Sequence, residues 1–275
     1  MNNVLVRSLS GSIYVALWIG AVLAGGWWLA GLLVLLTALG AGEFLNMSSG
    51  GHRQNRLLRM IDVLLCATTV AGVSLGCFID GAWPRVLAFV GFVLIFLRFI
   101  IELYVRDSDC FSSLGATFTA LIYIALPMSL IALLYFFLAS PHVVLALLIF
   151  IWVNDTGAFC VGSTMGRHKL FERISPKKTW EGFFGGMLFC IGAALVMSLC
   201  FPKYFPGISL AKMIALGIVA SIFATLGDLI ESQFKRSAGI KDSSHLIPGH
   251  GGILDRIDSI LLVMPAAFVF FILLR

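Results

Sequence analysis

The sequence predicts an all-α, polytopic integral membrane protein with about nine transmembrane helices. Three observations carry this expectation. Of 275 residues, 60% are hydrophobic and only 12% charged, about half the charged share of a soluble domain. Mean hydropathy is +1.01. The apolar residues gather into stretches of the roughly 20 residues that a helix needs to cross the hydrocarbon. So few ionised groups cannot cover a water-facing surface, which excludes a soluble globular domain, a disordered chain and a secreted disulfide scaffold. Composition leaves the chemistry open, because transporters, channels, sensors and lipid enzymes share it.

The stretches fall at about 11–25, 27–46, 59–79, 84–105, 115–138, 142–162, 180–201, 210–230 and 257–274. Gly25-Gly26-Trp27-Trp28 alone joins the first two, so they form a tight hairpin or one broken helix, and eight or ten spans stay open. A signal-peptide reading of residues 1–25, with Arg7 ahead of an apolar run, is set aside: another hydrophobic stretch follows at once and no cleavage site is evident. With nine spans, one side holds Arg7, Arg53, Arg56, Arg59, Arg106, Arg167, Lys169, Arg173, Lys177, Lys178, Lys235, Arg236, Lys241 and Arg256, 14 of the 19 basic residues. Lys and Arg favour cytoplasmic loops, so the long loops are expected in the cytoplasm and the C-terminus outside. Topology signalling and anionic headgroups account for such a bias more readily than a polyanion site does. The six cysteines form no CxxC pair and lie mostly in spans, so neither a disulfide framework nor a thiolate metal site is expected.

The two halves differ. Residues 1–140 are expected to be an N-terminal transmembrane scaffold and residues 141–275 a C-terminal catalytic half, within one continuous membrane domain. Asp155, Glu172, Glu181, Asp228, Glu231, Asp242, Asp255 and Asp258, 8 of the 14 acids, lie within 151–258. In the scaffold, Arg98 and Glu102 are spaced i, i+4 and are read as an ion pair. Glu43 and Asn46 lie near the end of the second span, and Glu43 is raised as a residue that borders the site without being assigned to it.

An ionisable group in hydrocarbon lines a cavity or has a partner. Asp228 and Glu231 end the eighth span, and Asp255 and Asp258 open the ninth, each pair on one helix face by i, i+3 spacing. With Asp155 in the sixth span, five carboxylates are expected at one depth. Helix-end placement explains Asp255 and Asp258, which favour the positive end of the dipole, but not Asp228 and Glu231 at a C-terminus. Carboxylates that close repel, and a divalent cation removes the repulsion. Oxygen-only ligands suit Mg²⁺. A proton or sodium relay is the alternative use.

The segment from Gly227 to Asp258 is read as the loop that decides between these uses. Lys235, Arg236, Lys241 and Arg256 supply positive charge, and Gly249, Gly251 and Gly252 around His250 let backbone amides approach an anion. The first N–H groups of the ninth helix come next and are expected to point at it. Acids with cations match a metal–triphosphate complex. An earlier loop is built alike. Asn154-Asp155 leads to Gly166, Arg167, His168 and Lys169, then Ser175-Pro-Lys-Lys-Thr-Trp-Glu-Gly182. Ser175 ahead of Pro176 is read as a helix start, and Lys177 and Lys178 reach an anion or a lipid headgroup.

Residues 232–258 carry Ser232, Phe234, Lys235, Arg236, Lys241, Asp242, Ser244, Ile247, Pro248, His250, Gly251, Gly252, Ile253, Asp255, Arg256, Ile257 and Asp258 in fixed spacing. This resembles the signature of the phosphatidate cytidylyltransferases, the CDP-diacylglycerol synthases, at every specified position. The stretches beginning at Asp155 and at Ser175 are similar to that family too, with Phe159 where Tyr is expected. The resemblance is dense over about 151–258 and weak over 1–140. It implies transfer from CTP to phosphatidic acid, giving CDP-diacylglycerol and pyrophosphate in phospholipid biosynthesis. It implies a metal site at Asp228 and Asp255, holding Mg²⁺ with a second cation such as K⁺, and Glu231, Asp258 and Asp155 as further ligands or orienters. Lys235, Arg236, Lys241 and Arg256 are assigned to phosphates, with Lys177, Lys178, Ser232, His250, Gly251 and Gly252 as further substrate contacts. His245 is read as structural. CTP, phosphatidic acid and membrane lipids are the expected partners, with no nucleic acid; a homodimer is compatible. A bacterial inner (plasma) membrane is the expected location, with the active site on the cytoplasmic face.

Other lipid enzymes fit less well. Asp80-Gly-Ala-Trp-Pro-Arg85 superficially resembles the CDP-alcohol phosphotransferase motif, but Pro84 replaces its Ala and the downstream aspartates are missing. A CTP-dependent polyprenol or phytol kinase is nearer, and a cation-coupled transporter using Asp155, Asp228 and Asp255 is the rival from another class. The topology has a direct check: a thiol probe at Ser243→Cys is expected to react only from the cytoplasmic side, and labelling from outside inverts the orientation.

Overall fold

A computed structural model of the chain describes residues 3–48, 56–78, 83–105, 109–138, 140–244 and 251–274. Among them every predicted span falls on a helix: α1 Asn3–Ala24, α2 Gly26–Ser48, α3 Arg56–Phe78, α4 Trp83–Glu102, α5 Cys110–Leu138, α6 Pro141–Met165, α7 Trp180–Cys200, α8 Leu210–Ser237 and α9 Leu254–Leu273. Seven of these, α2, α3 and α5 to α9, are long and apolar enough to cross a membrane among the described residues. A rise of about 1.5 Å per residue makes 20 residues match a hydrocarbon layer near 30 Å. The protein is thus an all-α polytopic membrane protein, with one small β-hairpin that the sequence pattern did not signal.

The helices form two compact units, Met1–Ala139 with Ser237–Ile257, and Ser140–Arg236 with Asp258–Arg275. The segment 237–257, which sequence position joins to the C-terminal half, groups with the N-terminal helices.

In the first unit, α1 and α2 part at Gly25. Its φ of 62° is a left-handed conformation that costs glycine little. α5 widens into a π-helical turn at Leu121–Ala125, just ahead of Pro127. Proline has no N–H for the carbonyl four residues back and its ring crowds that carbonyl; a wider turn absorbs both defects. The ion pair expected between Arg98 and Glu102 is present and is larger than expected. Arg98 Nε also lies 2.8 Å from Asp62 Oδ1 on α3, and its Nη2 donates to Ser113 Oγ on α5 at 2.6 Å. Three helices are pinned by one buried guanidinium.

In the second unit, Ser140 caps α6 by accepting from the His142 amide, with Pro141 in the first turn. Thr179 caps α7 by accepting from Gly182 N at 3.2 Å. The helix therefore starts at Trp180, not at Ser175-Pro176 as the sequence suggested. Ser175–Thr179 is instead strand β2, antiparallel to β1 Lys169–Phe171, with Lys169 opposite Thr179 and Phe171 opposite Ser175. Glu181 accepts from the amides of Arg167 and His168 and lies 2.6 Å from His168 Nδ1, which ties the hairpin to the start of α7.

Small residues bring these helices close. A Cβ at Gly186 on α7 would sit 2.5 Å from Asn154 Oδ1 on α6, and one at Gly227 on α8 would sit 2.6 Å from the Asp258 carbonyl oxygen on α9. Association in lipid relies on such close packing. Asn154 is buried and accepts from Ser221 Oγ on α8 at 2.7 Å. We expect Gly227→Ala to separate α8 from α9 at a cost of about 1–3 kcal/mol. A lower thermal unfolding midpoint of the detergent-solubilised protein would show it.

Candidate active site

The site is built on the length of α8. Apolar patterning ends this span near residue 230 and assigns the charged residues beyond it to a loop; the helix runs to Ser237. Asp228, Glu231, Ser232 and Lys235 are therefore spaced i, i+3, i+4 and i+7 and share one helical face. Ser232 Oγ donates to Asp228 Oδ1 at 3.3 Å, and Lys235 pairs with the buried Glu231 one turn earlier. Arg236 turns elsewhere, donating through Nε to the Ile174 carbonyl oxygen at 3.3 Å beside the hairpin.

Carboxylate oxygens of Asp228, Glu231 and Asp258 lie within 4.8 Å of one another. This is the part of the expected five-acid cluster that the second unit assembles. Two ammonium groups face it. Lys178 Nζ is 2.6 Å from Asp228 Oδ2 and also reaches the Thr225 carbonyl oxygen at 3.4 Å, while Lys235 holds Glu231. Lys178 thus pairs with Asp228 and Lys235 with Glu231. The Asp258 carboxylate additionally accepts from the Ser259 amide at 2.7 Å.

Asp228 also opens onto a cavity of about 500 Å³. Asp155, Lys177, Lys178 and Thr225 line it with Asp228, and Phe159 and Phe183 supply apolar wall. β2 explains the lysines: successive side chains of a strand alternate in direction. Lys178 turns inward to Asp228 while Lys177 is exposed. The cavity thus combines two cations, two acids and a greasy wall, which suits a ligand that is anionic at one end and apolar at the other. Phe159, where a tyrosine was expected, is largely exposed in it.

The other candidates lie in the first unit or outside the described residues. Lys241 is exposed and Arg256 half-buried. Asp255 Oδ2 accepts from the Ser243 amide at 3.1 Å, the Ser243 hydroxyl at 2.9 Å and the Gly252 amide at 2.8 Å. Gly251 takes a left-handed φ of 78°. His250 and His245 fall outside the described residues. The sequence suggested amides open to a phosphate at the start of α9, but that of Leu254, and that of Ile253 just before it, donate to Glu43, and that of Gly252 donates to Asp255. The protein's own carboxylates already satisfy the charge preference of that helix end. The sequence raised Glu43 as a residue bordering the site, an acid inside an apolar span being the signal, but assigned it no part in it. It also gave no role to the buried Asn154 or to Thr225.

Fold and site together define a membrane-embedded enzyme whose acids and lysines gather beside an amphiphilic cavity. The Cytidylyltransferase family matches residues 5–274. The chain is 35% identical over 268 residues to a phosphatidate cytidylyltransferase of Staphylococcus epidermidis, covering 94% of this chain and 96% of the relative. A Staphylococcus aureus protein of the same name is 35% identical over 270 residues, and one from Staphylococcus haemolyticus 32% over 271, with the same coverage. The chain belongs to the cytidylyltransferase family, a family of nucleotidyltransferase enzymes. The match runs through the N-terminal helices, beyond the 151–258 region where the legible motifs lie.

Removing the charge of Asp228 is expected to break both its lysine contact and the acid cluster. Asp228→Asn should lower turnover at least 100-fold while the protein still folds and inserts. Wild-type turnover in this variant removes Asp228 from the site.

Proposed function

We propose that this protein transfers a cytidylyl group from CTP to phosphatidic acid, yielding CDP-diacylglycerol and pyrophosphate. The observation that carries the reading is the Asp228–Glu231–Asp258 cluster, faced by Lys178 and Lys235, beside an amphiphilic cavity of about 500 Å³. The named relatives favour the same substrates.

The reaction needs little covalent help. An oxygen of the lipid phosphate, already anionic, attacks the α-phosphorus of CTP; the bond to the bridging oxygen breaks and pyrophosphate leaves with its electrons. No proton has to be abstracted. The difficulty is bringing two polyanions together and stabilising the leaving group, which is positional and electrostatic work. We assign this work to Lys177 and Lys178, which line the cavity. Lys235, Arg236, Lys241 and Arg256 are the further cations we assign to phosphates, with Ser232, His250, Gly251 and Gly252 as further substrate contacts. The Phe159–Phe183 wall offers apolar surface to the lipid.

The acids fit a resident cation. Three carboxylates within 4.8 Å repel one another when ionised, and an oxygen-only donor set suits Mg²⁺. We assign Asp228, Glu231 and Asp258 to hold it, with Asp155 at the same cavity and Asp255 as a further acid of the signature. A second cation such as K⁺ belongs to the same proposal. Bound there, the metal neutralises charge on the phosphates. We place the protein in a bacterial inner membrane with this site on the cytoplasmic face, in keeping with its basic loops and bacterial relatives.

The test supplies purified protein with labelled CTP, phosphatidic acid and Mg²⁺ and follows label into the lipid extract. The expected result is CDP-diacylglycerol with one pyrophosphate per lipid, lost on chelation and restored by Mg²⁺. Absence of CDP-lipid, with robust cation transport in liposomes, would reverse the reading in favour of a transporter. Activity untouched by chelators would remove the metal from it.

A further inference from the structure

Glu43 lies on α2, inside an apolar span, and only 5% of its surface is exposed. Its carboxylate meets four groups more than 190 residues away in sequence. Oε1 accepts from Ser244 Oγ at 2.5 Å and from the Ile253 amide at 3.0 Å. Oε2 accepts from Ser243 Oγ at 2.9 Å and from the Leu254 amide at 2.8 Å. The first amides of a helix have no partner of their own. Here an acid on another helix caps α9. The Ser243 hydroxyl lies 2.9 Å from Asp255 Oδ2 as well and so bridges the two carboxylates, donating to one at a time. Gly252 permits the approach: a Cβ there would collide with Glu43 Oε2 and Ser243 Oγ.

Two amides and two hydroxyls match the acceptor capacity of an ionised carboxylate, which donates nothing. A neutral amide in the same place would turn an NH₂ group toward donors. The demand is therefore for a charge, and it falls on the segment that carries Lys241, Asp255 and Arg256. We infer that Glu43 is a positioning residue for the transfer reaction: it holds residues 243–244 against 252–254 and so sets where Lys241, Asp255 and Arg256 are presented. This rests on the activity proposed above. Glu43 itself touches neither substrate.

The test compares full-length wild type with Glu43→Gln in nanodiscs, reading steady-state kinetics with CTP and phosphatidic acid alongside amide hydrogen exchange over residues 251–256. A displacement near 1 Å at a positioned group costs about 100-fold in rate. Glu43→Gln is thus expected to lower kcat about 100-fold, with KM for both substrates changed far less and the unfolding midpoint near wild type. Exchange should quicken in 251–256 and not in α6 to α8. Glu43→Asp, which keeps the acceptors on a shorter stem, should recover part of kcat. A wild-type kcat in Glu43→Gln, or a loss that matches the unfolded fraction with unchanged exchange, overturns the inference. If Glu43→Gln does not fold, Ser244→Ala removes one donor instead; kcat is expected to fall about tenfold, and a wild-type value overturns the inference. A wild-type protein that makes no CDP-lipid refutes the proposed activity, a result no Glu43 variant produces.

Discussion

A carboxylate inside a membrane-spanning bundle must find donors or a cation, because hydrocarbon offers neither and desolvation of a charge is costly. Most of the polar architecture arises from that need. Asp62 and Glu102 share Arg98, Asp228 takes Lys178 and Ser232, Glu231 takes Lys235, and Glu43 and Asp255 take backbone amides and serine hydroxyls. Many of these contacts tie a helix to something remote in the chain. The acids thus decide which segments are held, and the tie is most shielded from water where both partners are buried, as at Arg98 and Asp62.

The two kinds of acid differ in what faces them. Around Glu43 and Asp255 the partners are short, fixed and mostly backbone, which suits holding a segment still. Asp228 and Glu231 instead hold long lysine side chains, Asp228 beside a cavity, and with Asp258 three carboxylates crowd within 4.8 Å. Long cations can be drawn toward an arriving phosphate, whereas a backbone amide in a helix end cannot. That contrast separates the positioning role of Glu43 from the substrate-facing role assigned to Lys178 and Lys235.

How far the sequence could be read depended on distance along the chain. The Arg98–Glu102 pair and the faces of Asp228 with Glu231 were legible because helix geometry fixes neighbours three and four residues apart. Asp62 joins Arg98 from 36 residues away and Glu43 meets Leu254 from 211 away, and no local periodicity encodes either. The helix start at Trp180 was misplaced for a related reason. Ser-Pro is a fair local start signal, yet pairing with Lys169–Phe171 draws Ser175–Thr179 into a strand, and Thr179 then caps α7. The extension of α8 to Ser237 was masked by its charges, which resemble a loop until a face is available for them to share.

By itself the sequence determined the membrane class, the rough limits of the helices and the family resemblance, with the residues of the signature that carries it. These come from composition, from the length a bilayer requires and from spacing along the chain. Only the tertiary structure decided which acids cluster, that Lys178 rather than Lys177 turns to Asp228, and that the amides of α9 are filled by Glu43. Those outcomes depend on which donors from distant parts of the chain are packed against each carboxylate, as where Gly252 lets its segment approach Glu43, and no pattern along the chain encodes that.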